Sequence, residues 1–214
     1  MEKNRLEAFS DGVLAIILTI MVLDLKVPRG ETFADLSPIV PVFFRYVLSF
    51  VYVAIYWNNH HHLLQTARRI SGLILWANLH LLFWLSLIPF ATGWIGENHL
   101  AKSPSVVYGV VLLMSAVAYR LLQHSIIAIH GRKSLLRRAL GKDRKGRASV
   151  LIYLVAIGAA FWKPWVAEAL YVIVALMWLV PDQRIERALH HYQQRLRQHG
   201  ADAGEGSGDT PADD

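Results

Sequence analysis

Residues 5–25 read RLEAFSDGVLAIILTIMVLDL, and this stretch decides the class of protein. From Gly12 the chain runs through residue 23 without a charge. A helix needs about 20 mostly apolar residues to cross ~30 Å of hydrocarbon. A run of this kind, with charges only at its edges, predicts a first membrane-spanning helix.

Five more apolar blocks follow. The six predicted spans are residues 5–25, 39–64, 70–96, 103–129, 148–162 and 164–181. None shows the alternation of a barrel strand, so all are predicted to be helices. Only 18% of the 214 residues are charged, against about a quarter in soluble domains. The predicted fold is an all-α membrane protein, with residues 1–181 as one six-span domain.

The Lys and Arg residues predict the orientation. Sixteen of them lie in the N-terminus, loops 2–3 and 4–5 and the tail, and four lie in the other loops. Cytoplasmic loops carry the excess of Lys and Arg. Both termini are therefore predicted to be cytoplasmic, which agrees with an even number of spans.

The other segments carry less information about function. The basic stretch before span five is a possible nucleic-acid or anionic-lipid site, but retention on the cytoplasmic side explains it more simply. Residues 182–200 are predicted to form a short polar helix, and the acidic residues 201–214 to be disordered.

The absence of cysteine excludes disulfides and thiolate metal sites. Lys163-Pro164 is the only polar break between the last two spans, which predicts a tight hairpin there.

A helical wheel groups four residues of the first span. Ile16, Thr19, Ile20 and Leu23 fall within an arc of about 100°, while Asp11 points nearly the opposite way. Phe9 and Gly12 share the side of the four. From spacing alone, lipid contact or ordinary helix packing is the commoner explanation of such a stripe.

Three short segments resemble the transmembrane protein 175 family, a family of potassium-conducting channels of bacteria, archaea and animal endosomes and lysosomes. The first is the signature Arg5-x-x-x-Phe9-Ser10-Asp11 at the start of span one. The second is Trp57-x-x-His60-His61 at the end of span two, and the third is LWANL with SLIPF in span three. The resemblance is specific over residues 5–90.

The resemblance implies a homotetramer in which four copies of helix one surround a central pore. It implies a potassium-selective leak channel whose constriction is a ring of Ile16 side chains. Thr19, Ile20 and Leu23 would continue the pore lining. The carbonyl-lined filter sequence of ordinary potassium channels is absent. The motif residues are expected to have structural or gating roles; they are Arg5, Phe9, Ser10, Asp11, Trp57, His60 and His61.

Several polar residues in the spans have alternative explanations. Residues 60–62 are consecutive histidines, which point about 100° apart on a helix and cannot alone hold one metal ion. Interhelical hydrogen bonds are the simpler expectation. Asp11 is expected to accept a hydrogen bond from Trp57, His60 or His61. Arg120 is expected to snorkel or to pair with a carboxylate such as Glu168, although an interfacial position suits Glu168 better.

Three other functions compete with the channel. A secondary transporter usually shows internal repeats or broken helices. A proton pathway needs a chain of titratable groups, which the face from Ile16 to Leu23 lacks. An enzyme needs a nucleophile and base, a phosphate loop or a metal motif. We therefore predict no enzyme activity, no cofactor and no nucleic acid. The predicted partners are K⁺, further copies of the chain and the lipid bilayer, in the plasma membrane.

Overall fold

The computed structural model describes residues 2–23, 25–28, 30–67, 69–98, 101–130 and 144–179, and for His130 and Arg144 the backbone only. Within these ranges the chain forms seven α-helices and one 3-10 helix, Phe33–Leu36. The α-helices are α1 Lys3–Leu23, α2 Val40–Gln65, α3 Gly72–Ser86, α4 Ile88–Glu97, α5 Lys102–His130, α6 Arg144–Ala160 and α7 Pro164–Leu179. The prediction of an all-helical protein is confirmed.

Four helical stretches are long and apolar enough to cross a membrane. They are α1, α2, the 26 residues of α3 and α4 taken together, and the first 28 residues of α5. Helix α7 is apolar but has only 16 residues. The predicted basic loop and the predicted tail segments 182–200 and 201–214 lie mainly outside the described residues.

The predicted third span is not one continuous helix, as α3 ends at Ser86 and α4 begins at Ile88. Pro89 causes the break because its nitrogen has no hydrogen to donate to the carbonyl of Leu85. The amide of Leu87 instead bonds to the Trp84 carbonyl at 3.3 Å. The helical pattern resumes where the Ala91 amide bonds to the Leu87 carbonyl at 3.0 Å.

The hairpin predicted at Lys163-Pro164 is confirmed. Helix α6 ends at Ala160 and α7 begins at Pro164, so only three residues separate the two helices. The amides of Trp162 and Lys163 both bond to the Ala159 carbonyl, at 3.0 and 2.8 Å. Pro164 suits the first position of α7, where an amide hydrogen would have no helical partner. The two helices then pack side by side.

Outside the helices, the connection between α1 and α2 has a local fold of its own. The Thr32 amide and hydroxyl both donate to Asp35 Oδ2, at 3.0 and 2.6 Å. Both hydrogen bonds favour the charged carboxylate and so hold the pKa of Asp35 below its ordinary value. The bond from the Thr32 hydroxyl has the larger effect. The reciprocal bond from the Asp35 amide to the Thr32 carbonyl, 3.1 Å, completes a capped turn.

Helix α5 is central to the subunit, because it packs against α3, α4, α6 and α7. Tyrosines fill the space between α5 and its neighbours. The Tyr171 hydroxyl donates to the Ser105 carbonyl at 3.0 Å, and the Tyr52 hydroxyl donates to the Tyr171 carbonyl. A Cβ at Gly109 would collide with the Tyr171 hydroxyl, so this glycine allows α7 to approach α5 closely.

Candidate functional site

Helix α1 lies at the margin of the subunit and packs against α2, α3 and α4. Its buried stripe is Leu6, Ser10, Leu14, Ile17 and Met21. Their spacing of three or four residues follows the 3.6-residue period of a helix. The stripe fixes which side of α1 faces the subunit, and therefore which side faces away from it.

The outward face of α1 is apolar and open. Ile16 is 59% exposed, Ile20 46% and Leu23 78%, and Thr19 is also exposed. Phe9 lies near the start of the same face and is half-exposed. The structure thus brings Ile16, Thr19, Ile20 and Leu23 onto one uncovered surface, which extends over eight residues or about 10 Å of helix.

Thr19 is the polar group in the middle of this apolar face. Its hydroxyl donates to the Ile16 carbonyl of the same helix at 2.9 Å. Because the hydroxyl hydrogen is used within the helix, the oxygen lone pairs remain for a partner outside it. Such an oxygen can contact a cation but has no hydrogen left to donate to an anion.

An open groove of about 490 Å³ runs beside the exposed face of α1. Ile16 and Ile20 form one wall, and Pro89 and Phe90 form the other. The second wall lies at the break between α3 and α4. The break therefore shapes the surface next to the predicted constriction residue.

Two of the motif residues, Ser10 and His60, belong to a hydrogen-bonded chain that holds α1 against α2 and α3. Asn78 Nδ2 donates to Ser10 Oγ at 2.9 Å, and Asn78 Oδ1 lies 2.6 Å from His60 Nε2. All three side chains are buried. They join α1, α2 and α3 through one hydrogen-bonded chain. The expectation of interhelical hydrogen bonding for His60 is confirmed.

The partner of Asp11 is Trp57, whose Nε1 donates to Asp11 Oδ1 at 2.9 Å. His61 does not reach Asp11. Its ring stacks on Trp57 with centroids 6.3 Å apart, and its Nε2 lies 2.8 Å from Gln65 Nε2. Arg5 is exposed one turn before Phe9. Across the described ranges, no group of three His, Asp or Glu side chains could hold a metal ion.

The suggested pairing of Arg120 with Glu168 is wrong. Arg120 lines a cavity with Asn59 and Gln123, near the end of α2. Glu168 lines a different cavity with Arg45, near the start of α2. One carboxylate oxygen of Glu168 is buried among the helices, and Glu168 lies about one turn into α7. Its expected position at the membrane interface stays a prediction.

Sequence reasoning assigned no role to Asn78. The signal was present, since Asn78 is an amide in a span without charges, and polar groups in spans commonly bond across helices. Its two partners, however, are 68 and 18 residues away in the chain. No periodicity argument connects residues at such separations.

Known proteins resemble this chain both over the motif segments and over most of its length. Residues 5–89 match the family model described as Endosomal/lysosomal potassium channel TMEM175. A potassium channel of Chryseobacterium sp. (strain P1-3) is 56% identical over 189 residues, covering 88% of this chain and 98% of the relative. The endosomal/lysosomal proton channel TMEM175 of Gallus gallus is 28% identical over 199 residues, covering 84% of this chain and 40% of that protein.

The fold also matches a solved structure, that of a lysosomal potassium-selective channel TMEM175 homolog from Chamaesiphon minutus. The match has a TM-score of 0.72 at 28% identity, and covers 85% of this chain and 98% of the solved chain. The apolar helices and these relationships make the protein a multi-pass membrane protein. With a relative 56% identical along nearly its whole length, and with Ser10 and His60 of the signature segments joined through Asn78, this chain belongs to the TMEM175 family.

Proposed function

We propose that the protein is a potassium-selective cation channel, with a pore enclosed by the first helices of four identical subunits. The observation that carries this proposal is the open face of α1, where Ile16 is 59% exposed. The opposite face of the same helix is anchored by a buried network of hydrogen bonds. A fixed helix with an uncovered apolar face is suited to packing around a shared axis.

The relatives support the choice of ion. The Chryseobacterium relative is named a potassium channel, and the Chamaesiphon structure is that of a potassium-selective channel homolog. We extend this property to the present chain because the α1 face has the composition that a hydrophobic constriction requires. In this proposal the chain is a conduit, and it catalyses no reaction.

The mechanism rests on the cost of removing water from an ion. Four Ile16 side chains would form a ring with no ligand for a cation, so an ion must shed part of its water to pass. Na⁺ holds its water more tightly than K⁺, and the ring therefore disfavours Na⁺ more. Thr19 would lie one turn further along the pore, where its oxygen lone pairs replace some of the lost water. Ile20 and Leu23 continue the lining.

We further propose that α6 and α7 complete six spans and that both termini are cytoplasmic. The excess of Lys and Arg on one side supports this orientation in the plasma membrane. Helix α6 has 17 residues and α7 has 16. Each is near the lower limit for crossing the hydrocarbon layer. Local thinning of the bilayer can accommodate such short spans.

Flux through purified protein in liposomes tests the proposal. Native protein should release K⁺ faster than Na⁺, and Ile16→Asn should raise both fluxes and reduce the ratio between them. Leu176→Asn is the matched control, because Leu176 on α7 is also 59% exposed but lies away from α1. An unchanged flux ratio in Ile16→Asn, in protein that still folds, would remove Ile16 from the constriction.

Proton permeation is a second candidate function, because the Gallus gallus relative is named a proton channel. Four Ile16 side chains that part far enough to admit water would allow protons to pass along the water molecules. The same liposomes, loaded with a pH-sensitive dye, measure this flux. A proton flux that rises in Ile16→Asn together with the K⁺ flux supports one shared pore. A proton flux that Ile16→Asn leaves unchanged places proton movement elsewhere.

A further inference from the structure

A small, partly open cavity lies among the helices of the subunit, away from the α1 face and close to the starts of α2 and α7. Its volume of about 10 Å³ for the centre of a water-sized probe is roughly what a single water molecule requires. It is lined by Arg45, Leu48, Ser49, Thr92, Ile95, Tyr108 and Glu168. The lining residues come from α2, α4, α5 and α7, so the cavity lies at a junction of four helices.

Two charged side chains at this cavity have polar atoms without partners. Arg45 Nη1 and Glu168 Oε1 are buried, and neither makes a hydrogen bond to any described residue. The buried Ser105 hydroxyl on α5 lies near the Glu168 carboxylate, outside the geometry of a direct hydrogen bond. The other hydroxyls at the cavity already have partners. The Thr92 hydroxyl donates to Ser49 Oγ at 2.7 Å, and Ser49 Oγ lies 2.9 Å from the Tyr108 hydroxyl.

A buried polar atom without a hydrogen-bond partner is costly, so Arg45 Nη1 and Glu168 Oε1 need a ligand. Arg45 and Glu168 interact electrostatically but lie beyond the distance of a direct ion pair among the described residues. A cation in the cavity would be repelled by Arg45, and an anion by Glu168. The occupant must therefore be neutral and must both donate and accept hydrogen bonds.

We propose that the cavity binds one water molecule, which bridges Arg45 Nη1 and Glu168 Oε1. The water accepts from the guanidinium and donates to the carboxylate, so both unpartnered atoms are satisfied. The bridge ties α2 to α7 across the tyrosine-filled interior of the subunit. This site is independent of the pore, because neither residue belongs to α1 or to the surface beside Ile16.

Thermal unfolding of the detergent-solubilised protein tests the coupling between the two charges. Arg45→Met or Glu168→Gln alone leaves the other, half-buried charge without its partner and should lower the melting temperature by roughly 4–10 °C. The double variant removes both charges and should recover most of that loss. Recovery by the double variant supports the bridge even where a single variant fails to fold. Additive losses would overturn it.

The exposed pair between Lys26 and Glu97, 2.6 Å apart, provides a matched control. Lys26→Met and Glu97→Gln should each change the melting temperature by less than about 2 °C, because exposed ion pairs contribute little. An effect as large as that of the buried pair would show that loss of any charge destabilises this protein, which overturns the assignment of a special site.

An experimental density map resolves the water itself. A peak within hydrogen-bonding distance of both Arg45 Nη1 and Glu168 Oε1 supports the proposal. Direct contact between the two side chains, with no peak between them, overturns it. The ratio of K⁺ to Na⁺ flux should be unchanged in the double variant, and a changed ratio would contradict the independence of this site from the pore.

Discussion

The side chain of Asn78 donates a 2.9 Å hydrogen bond to Ser10 Oγ, and both residues are fully buried. The Ser10 hydroxyl in turn donates a hydrogen bond to the Leu6 carbonyl at 2.8 Å. The other polar atom of the Asn78 side chain, Oδ1, lies 2.6 Å from His60 Nε2 on α2. The rotation of α1 about its axis is thus set by a buried amide, and that rotation determines which side chains face away from the subunit.

Replacing Asn78 should therefore destabilise the subunit. Asn78→Leu leaves Ser10 and His60 buried without this partner, and we expect a loss of about 1–3 kcal/mol in the free energy of unfolding. Melting of the purified protein measures the change. Asn98→Leu is the control, because the side chain of Asn98 is exposed and donates to the Trp94 carbonyl of α4, the helix that Asn98 directly follows. If both variants lose the same free energy of unfolding, Asn78 does not bridge α1 and α2 in the way proposed here.

Asp11 should contribute to assembly through its hydrogen bond with Trp57, which is 2.9 Å long. Trp57→Phe keeps the ring and removes the donor, so we expect a loss of about 1 kcal/mol in stability. Asp11→Ala should have a similar effect, whereas Asp11→Asn retains an acceptor oxygen and should be milder.

Size-exclusion chromatography with light scattering follows the oligomeric state of these variants. A smaller fraction of tetramer in Asp11→Ala supports a structural role for Asp11. If Asp11→Ala instead forms a stable tetramer with altered conductance, Asp11 acts on the ion rather than on the assembly.

Gly109 should not tolerate a side chain. Gly109→Ala places a methyl group against the Tyr171 hydroxyl and 2.8 Å from Ile157 Cγ1, so α5 and α7 must separate. We expect a loss of about 1–3 kcal/mol in the free energy of unfolding. Gly158 on α6 is a matched control, because a Cβ there meets nothing within 4 Å. Gly158→Ala should be neutral or slightly stabilising, and destabilisation by both substitutions would contradict the packing explanation.

Some features of α1 could be predicted from the sequence because they depend only on helical periodicity. The wheel groups Ile16, Thr19, Ile20 and Leu23, and the structure places all four on one exposed surface. Their role in a pore stays a prediction. The partner of Asp11 was also foreseen among three candidates, because Trp57 belongs to a second motif of the same family.

Other features could not be predicted because they depend on contacts between distant segments. Pro89 is visible in the sequence, but a proline can lie in a span without ending the helix when neighbouring groups satisfy its backbone. Arg45 on α2 and Glu168 on α7 line the same cavity. Each looks like an isolated charge in an apolar block, and only packing shows that the two share a cavity.

Thr19 should influence conductance more than stability. Its hydroxyl oxygen lies on the exposed face of α1 and has lone pairs free for a partner. Thr19→Val keeps the shape of the side chain and removes that oxygen, so a partly dehydrated K⁺ would lose a ligand. The substitution removes the Thr19 oxygen from all four subunits of the proposed pore. We expect K⁺ conductance to fall roughly three- to tenfold, as a net loss of about 1 kcal/mol in contact with the ion implies.

Thr19→Ser separates the two properties of this residue, because serine retains the oxygen and loses only the methyl group. Single-channel recording in a planar bilayer should show near-native K⁺ conductance for Thr19→Ser and reduced conductance for Thr19→Val. The flux ratio set at Ile16 should change little in either variant, since Ile16 lies one turn away. If Thr19→Val conducts as well as the native protein while Ile16→Asn loses selectivity, the ion passes Thr19 with its water intact. The constriction is then confined to the Ile16 ring.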